Sequence, residues 1–137
     1  MKRRRRTHLE RLVENDEENF YETCEEDCKF WFRILNKEIF DEKLSSIDTF
    51  IVGRRRGSYA FYECVTDTDN QSYLESKIFM NTYYKSKRFM IEILCHEMVH
   101  HYQALNGEPL GHGPSFLRWR DKLNQKGLNL RRTYIEK

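Results

Sequence analysis

From about Asn15 to Phe40 apolar residues recur at helical spacing between acidic ones, and neither Gly nor Pro interrupts them. That period predicts a long amphipathic helix. Between Ile47 and Val65 the pattern shifts to β-branched and aromatic residues, broken at Gly53-Arg54-Arg55-Arg56-Gly57. Strands on either side of a glycine-bracketed turn predict a β-hairpin. The polar stretch from Thr66 to Ser72 reads as a loop, and Leu74 to Asn81 as a third strand with Ile78 and Met80 on one face. Apolar residues at helical period return between Ser86 and Asn106, where Gly107 and Pro109 stand as stops. Gly113-Pro114 then opens a third helix, Pro suiting its first turn, with Phe116, Trp119 or Arg120, and Leu123 at helical intervals.

A chain of 137 residues is long enough for one hydrophobic core and short for two. One folded domain is expected over residues 15–137, after a basic, flexible tail over residues 1–14. The formal charge of +2 conceals a separation of sign, since Lys2 to Arg6 are all basic while Glu10 to Phe30 hold nine acidic residues against two basic ones. The pattern gives a basic tail, an acidic outer helix face and a mildly basic remainder. No apolar run is long enough to cross a bilayer, and no signal-like apolar stretch follows the basic opening. The expectation is an intracellular protein with no membrane partner, cytoplasmic in a bacterium or phage-infected host and nuclear in a eukaryote. Cys24, Cys28, Cys64 and Cys95 have neither the paired spacing of a zinc ribbon nor the density of a disulfide scaffold. Reduced thiols are expected, with Cys24 and Cys28 packed in the core from the first helix.

The candidate chemistry sits in the second helix, at His96-Glu97-Met98-Val99-His100. Two histidines four apart are only about 40° apart around a helix axis, so both imidazoles can reach one ion. A catalytic zinc site takes three protein ligands and leaves the fourth position to water. Glu97, beside the first histidine, can take a proton from that water, whose pKa the metal lowers to about 7. The third ligand is read as His112, which follows the turn that sends the chain back toward the helix, with Glu108 before Pro109 as its rival. His101 lies about 100° from His100 and about 140° from His96, on the side of Met90, Leu94 and Leu105, and reads as a packing residue. His8 reads as solvated.

The string Glu92-Ile93-Leu94-Cys95-His96-Glu97-Met98-Val99-His100, followed by His112-Gly113-Pro114-Ser115-Phe116 and Trp119, resembles the SprT-like metallopeptidase family. The likeness is to a Spartan-like peptidase domain without the C-terminal zinc ribbon, because no cysteine follows Cys95, and it runs from about Phe20 to Leu123. It implies one zinc ion per chain, with His96, His100 and His112 as ligands and Glu97 as the general base. It implies a compact zincin-like α+β domain: a long N-terminal helix, a small three-stranded antiparallel sheet, the active-site helix and a C-terminal helix. It also suggests a hydrolase for protein substrates bound or crosslinked to DNA, hence a role in DNA repair.

Basic residues supply candidate DNA contacts at Lys2, Arg3, Arg4, Arg5 and Arg6 in the tail and at Arg54, Arg55 and Arg56 in the predicted hairpin turn. The competing reading makes both groups solvated charge, or the tail an address signal. The second functional reading is a nucleic-acid-binding protein with a structural zinc and no proteolysis. A structural site fills all four positions with protein ligands. Cys95, the nearest thiol in sequence, lies about 100° from His96 around the helix and points elsewhere, which favours catalysis. Tyr83, Tyr84, Tyr102 and Arg118 are the right types to stabilise an oxyanion, and none is assigned.

Overall fold

Every residue from Phe89 to Val99 is buried in the computed structural model, so a helix stands at the centre of the fold. Residues 7–14, 20–54, 57–70 and 72–132 are described. In chain order the elements are α1 (His8–Glu14), β1 (Tyr21–Glu22), α2 (Glu25–Glu38), β2 (Thr49–Val52), β3 (Ala60–Thr66), β4 (Tyr73–Met80), β5 (Tyr83–Tyr84), α3 (Lys87–Leu105), α4 (Pro114–Leu117) and α5 (Arg120–Gln125). The class is α+β, as expected.

The central helix α3 is bounded where its sequence asks for it. The Ser86 hydroxyl accepts from the Phe89 N–H at 3.0 Å, satisfying one of the orphan donors of the first turn. At the other end Gly107 adopts φ +66°, the left-handed conformation that ends helices and that glycine adopts without strain.

The first helix is shorter than its period suggested. It begins at Glu25, because Tyr21–Glu22 pairs antiparallel with Tyr83–Tyr84 and the Thr23 N–H donates to the Thr82 carbonyl at 2.8 Å. This main chain is committed to extended pairing, and residues 15–19 lie outside those described. The Thr23 and Tyr21 hydroxyls both donate to Asp27, at 2.8 and 2.6 Å, which fixes the strand to the first turn of α2. Cys28, Trp31, Phe32 and Leu35 then form the buried stripe of α2. Cys24, expected in the core beside Cys28, is exposed at the N-cap. The expected tail over residues 1–14 is helical from His8 to Glu14, where Leu9 and Leu12 join the core, so this part belongs to the fold.

The predicted hairpin does not form. The main sheet has the order β2-β4-β3, with β2 parallel to β4 and β3 antiparallel to it. It is mixed rather than antiparallel. β4 carries the fully buried Ile78 and Met80 and takes a partner along each edge, which places it between the two strands that sequence order had paired. The segment after β2 therefore crosses the width of a strand instead of closing a tight turn. Helices α2 and α3 pack against this sheet. The single C-terminal helix is interrupted, because the Trp119 N–H reaches back only three residues to the Phe116 carbonyl while its indole packs on Phe40 and Tyr102. Among the described residues no helix is long and apolar enough to cross a membrane.

Candidate metal centre

Helix α3 presents His96, Glu97 and His100 on one face, and the loop after Gly107 returns His112 to meet them. One nitrogen from each of the three imidazoles lies within 4.8 Å of the others. His96 Nε2 and His112 Nε2 are 3.2 Å apart, and each pair of rings has its centroids 5.0 Å apart. The ring of Phe116, from α4, packs against all three, with centroids at 4.7 Å from His96, 5.3 Å from His100 and 4.9 Å from His112. Nitrogens held about 2.0–2.1 Å from a tetrahedral zinc ion stand about 3.3 Å from one another. The observed 3.2 Å falls at that spacing, so the residues fit a metal ion.

Electrostatics agree with geometry. Burial is the main force holding all three imidazoles below their ordinary range, His96 furthest, to about 3, with His100 and His112 as lesser causes. Neutral imidazole is the form that offers a lone pair to a cation. The lone pair also has to point inward. His96 Nδ1 donates to the Arg131 main-chain carbonyl at 3.0 Å, and His100 Nδ1 donates to Gln103 Oε1 at 2.9 Å. With protons engaged at Nδ1, each Nε2 faces the cluster unprotonated, the outer-shell arrangement usual for metal-binding histidines.

Glu97 is 6% exposed, and its carboxylate lies 3.9 Å from His96 Nε2. Burial pushes it up to about 8. A cavity of about 230 Å³ opens beside Glu97, His96 and His112 and is bounded on its far side by Gly57 to Ala60 and by Arg132.

The other candidates lie elsewhere. Glu108 pairs with Arg118 at 3.2 Å and is not part of the imidazole cluster. His101 is fully buried, its Nε2 donating to the Ser45 carbonyl at 2.9 Å and its Nδ1 accepting from the Tyr62 hydroxyl at 2.8 Å. The Tyr84 hydroxyl is committed to the Tyr59 carbonyl and the Asn81 N–H, while Arg118 lies over Tyr102. Arg54 lies over the Tyr83 ring and does not line the cavity. Lys2, Arg3, Arg4, Arg5, Arg6, Arg55 and Arg56 lie outside the described residues. Sequence reasoning missed Gln103, the Arg131 carbonyl and Arg132. Only Gln103 carried a signal, lying three residues beyond His100 and so on its face of the helix.

Residues 28–135 match the model of the SprT-like family. No curated protein matches the chain.

Proposed function

Since the chain belongs to the SprT-like family, we propose that it is a zinc-dependent endopeptidase in which His96, His100 and His112 hold the metal and Glu97 is the general base. The observation that carries this reading is the convergence of three imidazoles, two of their nitrogens 3.2 Å apart, beside a buried carboxyl group. Zinc held there supplies Lewis acidity, which polarises a carbonyl and makes water a better acid. Glu97 accepts the proton of the attacking water and passes it to the departing amine. Burial alone favours the protonated form of Glu97, and a nearby cation pulls toward the ionised form that a base requires. Among the described residues the cluster contains three histidines and no further ligand, which favours an open catalytic site over a closed structural one.

An extended peptide suits the surroundings. The cavity reaches Ala60, the first residue of β3, and β3 is an outer strand of its sheet. A substrate adding to that edge would be held by main-chain hydrogen bonds that accept many sequences. A mixed sheet packed against the helix that carries the cluster supports reading the domain as zincin-like. Proteins bound or crosslinked to DNA are the substrate class we favour, on the strength of the basic runs Lys2 to Arg6 and Arg54 to Arg56.

The test compares the wild type with Glu97→Gln for zinc content and for cleavage of an unfolded protein. An amide fills the same space and cannot accept the proton, so the variant should keep zinc and lose at least about 100-fold in turnover. Undiminished cleavage would remove Glu97 from the reaction.

A further inference from the structure

Gln103 touches no part of the cavity, yet its side chain is fully buried and all four of its hydrogen-bonding sites are used. Its Oε1 accepts from His100 Nδ1 at 2.9 Å and from the Gly111 N–H at 3.3 Å. Its Nε2 donates to the Gly111 carbonyl at 3.1 Å and to the Ser115 hydroxyl at 3.0 Å. An amide has two acceptor sites and two donors, so nothing is left over.

The Gly111 main chain settles which way round this amide lies. A peptide N–H can only donate and a peptide carbonyl can only accept, so Gly111 pairs with Gln103 in one orientation alone, with Oε1 on the side of His100. A carbonyl oxygen facing His100 Nδ1 demands a proton there, which leaves Nε2 with its lone pair toward the other imidazoles. The same amide holds Gly111, just before His112, and Ser115, three residues after it, against helix α3.

We propose that Gln103 is a positioning residue that sets the tautomer of His100 and the placement of His112 together, joining two imidazoles of the cluster that come from different elements. This rests on the metal reading above for its consequence, though not for its geometry. Losing a partner of this kind weakens metal binding by about 10–100-fold in sites where it has been removed. Packing alone would not require an amide, because a side chain of like length fills the same space.

Gln103→Met is the test, since methionine is similar in length and offers no amide. Zinc affinity is measured by competition with a chelator, and the imidazole nitrogen shifts of His100 are read by NMR on the metal-free proteins. The variant should bind zinc about 10–100-fold more weakly, and His100 should lose its uniform Nδ1–H tautomer. Unchanged zinc affinity, or an unchanged tautomer, overturns the proposal even if thermal stability falls. Should that variant fail to fold, Gln103→Glu is read in the same way, because it keeps the acceptor toward His100 and loses both donors. It should retain the Nδ1–H tautomer and bind zinc about tenfold more weakly; loss of the tautomer, or full affinity, overturns the proposal. A wild-type chain that takes up no zinc would end the metal reading alone, and the tautomer comparison, made without metal, would still decide the role of Gln103.

Discussion

The imidazole of His96 donates from Nδ1 to the main-chain carbonyl of Arg131, 35 residues further along the chain and 3.0 Å away. That carbonyl is held in place by its neighbours. Leu128 and Leu130 are buried, and the Asn129 N–H donates to Glu92 at 2.7 Å. Glu92 lies one helical turn before His96, so α3 anchors the segment that in turn orients its own histidine.

Glu92→Ala should therefore act on the metal site without touching it. Losing the anchor leaves the Asn129 N–H without its acceptor, which costs about 1–3 kcal/mol of stability. Freed from Glu92, the Arg131 carbonyl should orient His96 less firmly and weaken zinc binding about tenfold. Chemical denaturation and chelator competition measure the two effects. A variant that loses stability and keeps full affinity would show that Glu92 is purely structural.

His112→Ala should abolish tight zinc binding, and Glu108→Ala should leave it intact. The difference follows from position, since His112 Nε2 stands 3.2 Å from His96 Nε2, whereas Glu108 is engaged with Arg118. Elemental analysis after dialysis decides between them. Zinc retained by the first variant and lost by the second would reverse the assignment.

Much of the site could be read from the sequence because it is local. The spacing of His96, Glu97 and His100, the cap at Ser86 and the stop at Gly107 all act within one helix, where period and propensity govern. His112 was legible through the turn marked by Gly107 and Pro109, which sends the chain back toward the helix. The sheet was not legible, because the partner of β2 is chosen by tertiary pairing along β4 and not by sequence proximity. The start of α2 was displaced for the same reason, since Tyr21 and Glu22 pair with residues 83–84, distant in sequence. Gln103 is a case of the same kind. Its spacing placed it beside His100, but its bonds to Gly111 and Ser115 exist only once the loop has folded back.

Deleting residues 2 to 6 should weaken DNA binding about equally for all sequences. Five basic side chains on one short segment can reach phosphates, and each contact to duplex DNA adds about 0.9 to the log-log dependence of affinity on salt. With incomplete engagement the slope should fall by roughly two to four units. Fluorescence anisotropy over a series of salt concentrations measures it. Cleavage of a free unfolded protein should be unaffected, because the imidazole cluster lies within residues 96–112. A full-length protein with no measurable affinity at low salt would end the proposal of DNA-bound substrates and leave a general peptidase.

Acid should destabilise the metal-free protein through its histidines. Burial, the largest cause in each case, lowers His96 to about 3 and lowers His100, His101 and His112 as well. Unfolded imidazoles titrate near 6.5, so below that value the unfolded chain binds more protons and folding stability declines with pH. Above it this contribution is fully present. Glu97 has the opposite sign, because burial raises it from 4.5 to about 8, so between those values the folded state binds more protons and acidification is stabilising. Glu97→Gln removes that opposing group. In the presence of a chelator, the stability of the variant should therefore fall more steeply than that of the wild type between about pH 6.5 and 4.5, by up to about 1.4 kcal/mol per pH unit, the slope of one proton. Added zinc should raise stability at neutral pH and lose its effect as the ligands protonate. Urea denaturation at successive pH values reads all three curves. Parallel curves for the two proteins would mean an ordinary carboxyl at Glu97, and a flat profile in the variant below pH 6.5 would mean that the imidazoles are exposed to solvent.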